Sequence, residues 1–119
     1  MSITIFRQTA VMSGLQPQGE PAFPLSQPPC QFSGLDVALP GAAGVNSGVW
    51  ACTPGRFERQ LVQAEVMHLL AGAGSFTPTG GEPLHFAAGD TLFFPAHTTG
   101  TWHITETLRK VFVVLPQSD

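Results

Sequence analysis

Charge is scarce in this chain. Only 11% of its 119 residues are Asp, Glu, Lys or Arg, where a typical globular domain has about a quarter. With 43% hydrophobic residues, that scarcity excludes a disordered chain, which needs high charge and low hydrophobicity. The five basic residues are scattered and the formal net charge is -3; only Arg109 and Lys110 are adjacent. Nucleic acid is therefore excluded as a partner, since it requires a clustered basic face. No apolar run approaches the roughly 20 residues of a membrane-spanning helix. Residues 1–10 also lack the basic start, apolar stretch and small-residue cleavage site of a secretory signal. A soluble, cytoplasmic protein is predicted. Two cysteines, Cys30 and Cys52, are too few for a disulfide framework and wrongly spaced for a zinc site. They read as free, partly buried thiols.

Uninterrupted helical windows are missing as well. Thirteen glycines and 11 prolines punctuate the chain every few residues, and both residues oppose helix formation. What is present is a series of short runs rich in Val, Leu, Phe and Thr. The pattern predicts strands over 3–6, 49–52, 57–62, 66–70, 74–77, 83–86, 91–94, 100–105 and 109–115. Short strands at near-regular spacing, separated by turn signals, indicate an all-β sandwich or barrel. Thr79-Gly80-Gly81-Glu82 has the composition of a hairpin tip. Ala88-Gly89-Asp90 supplies a tight turn before the next apolar run.

The chain reads as one domain over 1–119. Residues 13–48 hold six prolines and little periodicity, so residues 1–47 are expected to form an N-terminal strand and an extended, Pro-rich arm. Phe23, Leu25, Phe32, Leu35 and Val37 would anchor that arm on the body. The barrel core is expected over 48–115. So little charge implies that part of the exterior is covered by a second chain, which predicts a homodimer.

From Gly48 onward the chain resembles the cupin superfamily, whose members are jelly-roll barrels built as a double-stranded β-helix. Glu65 and Gly72 keep the Glu-x6-Gly spacing of the first cupin motif, and Gly89 and Pro95 keep the Gly-x5-Pro spacing of the second. Gly48 to Phe57, Gly100-Thr101-Trp102 and Glu106 to Lys110 are similar to one subfamily in particular. It includes the cupin domain of ureidoglycine aminohydrolase and the ethanolamine-utilisation EutQ-type cupins. The resemblance covers roughly residues 48–115 and implies a barrel with two histidines, a glutamate and a later histidine around a divalent ion. This chain departs from that pattern. The His-x-His positions fall on Arg59 and Leu61, or on Glu58 and Gln60 with a longer spacer, and the later histidine falls on Gly100. The aminohydrolase arrangement would need ligands at Arg59, Leu61 and Glu65. Of the usual set only Glu65 remains, so neither a metal cofactor nor aminohydrolase activity is expected.

Five residues are candidates for a ligand site. Glu65 would face the interior as a general acid/base or a ligand-anchoring carboxylate; otherwise it is held in a structural ion pair with Arg59, Arg109 or Lys110. Trp102 shares a strand face with Gly100 and offers an indole for stacking, or else fills the core. His97 stands at the barrel mouth, and with Glu58, Gln60 and Glu65 it is the one route to a residual metal or ligand site. His68 and His103 fall on the faces opposite Glu65 and Trp102. Gln60 and Lys110 complete the set, although the apolar residues on both sides of the strand after Lys110 leave its direction open. Met67 and Leu69 share Glu65's face and read as pocket lining or core. Gly72-Ala73-Gly74 lacks the setting of a phosphate loop, and Ser75 that of a nucleophile elbow.

Three functions follow as expectations: a metal-free cupin binding a small polar metabolite, an acid/base or weakly metal-dependent enzyme, or a dimer-forming structural module. Fold alone does not separate them.

Overall fold

The computed structural model describes residues 3–117, and every regular element within them is a strand. In chain order these are β1 (Gln16–Gly19), β2 (Phe23–Pro24), β3 (Phe32–Asp36), β4 (Asn46–Cys52), β5 (Gly55–Leu61), β6 (Glu65–Pro78), β7 (Leu84–Ala87), β8 (Thr91–Phe94) and β9 (Thr98–Val114). All pairings are antiparallel. The path β1-β3-β4-β9-β5-β2 forms one side, while β6 pairs with the other edge of β9 and carries β7 and β8 beyond it.

β6 and β9 organise the molecule. They span 14 and 17 residues, well beyond the usual five or six, and each serves two partners in succession. The first part of β9 pairs with β5 and its last part with β4. β6 likewise takes β8 near its start and β7 further on. Register shifts between Leu69 and Gly74 bend the strand pair where these partners change, as bulges do. Gly72 sits in that bend at φ +94, and an added Cβ would collide with the carbonyl oxygens of Thr107 and Glu106. The result is a curled, open half-barrel of cupin type.

Several sequence expectations need correction. The all-β barrel takes the form of a curled, open sheet: β1 and β2 end the strand path, and β7 and β8 pair only with β6. Runs 66–70 and 74–77 are one strand, as are 100–105 and 109–115, because Gly72 and the residues around Thr105 bend the chain without ending it. The presumed arm is woven into the fold, since β3 pairs with β4, β1 adds to β3, and β2 adds to β5. Residues 3–6 form no strand; they find no strand partner among the described residues, and Ile3 and Ile5 are 87% and 60% exposed. The segment after them is tied down by Arg109, which donates to the carbonyls of Thr9 and Met12 at 3.0 and 2.9 Å. Both expected turns are present: Gly81 N–H donates to Pro78 at the hairpin tip, and Asp90 accepts from Ala87 N–H beside Gly89.

The concave side of the sheet is filled. Trp102 is surrounded by Phe57, Phe76, Phe86 and Phe94, with ring centroids 6.3, 5.0, 5.7 and 5.3 Å away. Each such pair contributes about 0.5–1.5 kcal/mol beyond area burial. Met67, Leu69, Ile104 and Leu108 extend this core toward β4.

Candidate functional site

Strand register decides which sequence candidates meet. Phe57, Arg59 and Leu61 oppose Trp102, Gly100 and Thr98 across β5 and β9, so Arg59 and Leu61 share the inner face with Trp102. Glu58 and Gln60 fall on the outer face. Gln60 is therefore not brought together with Trp102. Glu65, Met67 and Leu69 point inward from β6, and His68 points out, where its Nδ1 lies 2.8 Å from Thr91 Oγ1. His103 and His85 are exposed as well.

Glu65 and Lys110 do come together. Lys110 Nζ donates to Glu65 Oε2 at 2.7 Å, and the residues are 7% and 5% exposed. The ammonium also lies 3.6 Å from Met67 Sδ, 4.7 Å from the ring centre of Trp50, and 5.8 and 5.9 Å from those of Trp102 and Phe112. These distances fall within cation–π range. Burial pushes the lysine below its ordinary value of 10.5, and the Glu65 carboxylate opposes that shift. Of the three partners open to Glu65 from the sequence, Lys110 is the one that pairs with it.

The remaining candidates lie apart. Trp102 has rings on several sides and is core, and its Nε1–H has no hydrogen-bond partner among the described residues. His97 adopts φ +63 in the exposed turn before β9, its N–H donating to Val62 at 3.3 Å. Clefts of the surface open elsewhere among the described residues. One of about 570 Å³ is walled by Glu58, Gln60, Thr77, Thr99 and Thr101; another of about 270 Å³ by Phe32, Phe57 and the Pro21–Ala22 turn. Phe23, Glu58, Arg59 and Gln60 line both. A third, apolar one of about 260 Å³ lies between β7 and β8. Glu65, Trp102 and Lys110 line none of these three. Arg59, where the two β5 clefts meet, was not among the site residues expected from the sequence. Its signal was there: it alternates with Phe57 and Leu61, a cation between two inward apolar residues.

Cys30 and Cys52 are free and fully buried, more deeply than the sequence implied. Burial pushes both thiols above their ordinary value of 9.0. Above that pH the unfolded chain ionises its thiols while the folded chain keeps them protonated. The folded state then binds more protons, and the thiol contribution to stability is lost as pH rises. Lys110 acts in the opposite sense, so the comparison needs a control. The expected result is that wild type loses more stability between about pH 8 and about pH 10 than a Cys30→Ala/Cys52→Ala variant. Urea midpoints measure this, and equal losses in the two proteins would contradict it.

Among the described residues, no group of three or more His, Cys, Asp or Glu side chains is placed to hold a metal ion. The usual cupin metal does not fit this donor set. Arg59, Leu61 and Gly100 offer no suitable ligand, and the one carboxylate left, Glu65, already faces the Lys110 ammonium. Fold and site together define a small cupin-type β-domain without the usual metal cluster. The family model described as the EutQ-like cupin domain matches residues 41–112, and the chain belongs to that family. Among solved structures, a protein of unknown function from Pseudomonas syringae pv. tomato is similar at 26% identity and a TM-score of 0.77, over 87% of this chain and 45% of its own. This chain thus spans less than half of that relative. The Clostridium difficile EutQ protein is 16% identical, with a TM-score of 0.65 over 78% of this chain and 75% of its own. An ethanolamine utilization protein from Salmonella typhimurium is 19% identical, with a TM-score of 0.64 over 74% and 72%. The last two likenesses show the fold. The search of curated proteins finds no match. No helix of the described residues is long and apolar enough to cross a membrane.

Proposed function

We propose that this protein binds a small polar metabolite without a metal, at the mouth of the half-barrel beside β5. The observation that carries the reading is the buried Glu65–Lys110 pair. A fixed ammonium supplies the positive charge that a cupin metal would bring to the glutamate, and the site is electrostatically complete without an ion. Phe32 and Trp50, 5.0 Å apart, stand between that pair and the smaller cleft. Gln60 and Arg59 offer hydrogen bonds at its rim. In this reading Glu65 and Lys110 shape the field behind the aromatic wall, Trp102 holds the wall in place through Phe57, and His97 takes no part.

The test is a thermal-shift and native mass-spectrometry screen of polar metabolites, run with and without a chelator. At least one stabilising compound is expected, with the same response under chelation. A response that disappears with the chelator would overturn the metal-free reading. The protein is further proposed to work as a cytoplasmic homodimer. Two buried free thiols suit a reducing compartment, and exposed Ile3, Ile5, Val11, Leu84 and Phe93 supply apolar surface for a second copy.

A further inference from the structure

We infer that the compound taken at the β5 cleft is a small monocarboxylate with a flat or apolar body, its carboxylate held by Arg59. The inference rests on the metabolite-binding reading above and names the chemical class of the ligand. Three observations converge on it.

The first is the position of the guanidinium. Arg59 shares the inner face with Phe57 and Leu61, yet stays exposed at the rim while both neighbours are buried. Its cross-strand partner on β9 is Gly100, so no side chain from that strand covers it. A side chain could not be placed there, because an added Cβ would meet the Phe76 ring at 2.6 Å.

The second is charge. Among the described residues Arg59 has no ion-pair partner; the ion pair found is Lys110–Glu65. The neighbouring carboxylate, Glu58, also lines the cleft but alternates to the opposite face of β5 and forms no ion pair with Arg59. Because Glu65 is engaged by Lys110, Arg59 is left with a guanidinium free to take a ligand carboxylate. A planar guanidinium matches a carboxylate in a two-point hydrogen bond. One such group, with no second basic side chain and no helix end lining the cleft, suits a single negative charge better than the two of a phosphate monoester.

The third is the wall. Phe32 and Phe57 meet edge to face with centroids 5.3 Å apart and line the cleft together with Pro21 and Ala22. At about 270 Å³ the space falls just below the roughly 300 Å³ at which drug-sized ligand sites begin. It suits one ring or a short chain.

Benzoate, benzamide and phenyl phosphate are the probes. They share a ring and differ in charge. The chain has two tryptophans and no tyrosine, and Trp50 touches Phe32, so tryptophan emission reports occupancy; calorimetry supplies an independent Kd. Saturable benzoate binding is expected, with benzamide and phenyl phosphate clearly weaker. Arg59→Gln should weaken benzoate about tenfold or more, as expected for a lost charge-assisted contact, and Arg59→Lys should recover part of it. Urea unfolding verifies that both variants fold. Benzamide binding as tightly as benzoate with no dependence on Arg59 would overturn the carboxylate assignment and leave metabolite binding standing. So would phenyl phosphate binding tightest, which would assign a phosphate site. Absence of benzoate binding at millimolar concentrations overturns the assignment too, and the metabolite screen then decides separately whether the broader reading survives.

Discussion

Replacing Lys110 with methionine is expected to cost about 3–5 kcal/mol of stability, while replacing Lys110 and Glu65 together costs far less. The single change removes the ammonium 2.7 Å from a carboxylate that is 5% exposed, leaving a buried charge without a partner. Methionine keeps the apolar stem against Trp50, Trp102 and Phe112, so lost packing contributes little to that cost. In Lys110→Met/Glu65→Leu neither charge remains, and swaps of this kind are often neutral or stabilising by about 1–4 kcal/mol. Urea unfolding at neutral pH, with an unchanged dependence on denaturant, reads Lys110→Met, Glu65→Leu and the double variant. The decisive quantity is the coupling between the two sites. If the double variant is as unstable as the sum of its singles, the pair is not a unit. Metabolite response in a stable double variant then separates function from architecture: loss of response in a protein as stable as wild type supports the role proposed for the pair.

How far the sequence reaches is clearest along β5. Alternation through Phe57, Arg59 and Leu61 is unbroken, so the inward face can be read directly, and the cupin spacing identifies Arg59 and Leu61 as non-ligands. The same alternation placed His68 and His103 outside, and the structure agrees. Direction became unreadable at Lys110 for two reasons. The residues after it, Val111 to Leu115, are apolar on both faces, and register shifts between Leu69 and Gly74 break the phase of its partner strand. Bulges of this kind leave little trace in composition, since Gly72 reads as a turn as readily as a bend. The strand expected at 3–6 failed for another reason: Ile-Thr-Ile-Phe has β propensity, but propensity supplies no neighbour to bond with. Gln60 was placed among the site residues by motif spacing; strand parity relative to Phe57 turns it away from Trp102, yet it lines both clefts beside β5.

Trp102 offers the sharpest test of whether the concave face is core or binding surface. Read from the sequence, its indole could stack on a flat ligand; in the fold it is held among Phe57, Phe76, Phe86 and Phe94. Trp102→Ala should therefore cost about 3–5 kcal/mol, the range for truncating a large buried aromatic. That is a substantial share of the roughly 5–15 kcal/mol that holds a domain folded. Trp102→Phe should cost less than half as much. It loses area, but it also removes a buried N–H that has no partner among the described residues, and leaving such a donor unmet costs about 1–3 kcal/mol. A binding-surface tryptophan would behave differently: the alanine variant would keep its stability and lose ligand response alone. Unfolding free energies that stay within about 1 kcal/mol of wild type would move Trp102 out of the core and return it to the ligand site. Loss of stability in the alanine variant, with recovery in the phenylalanine variant, places the ligand outside the aromatic cluster, where Arg59 and Phe32 line the open cleft.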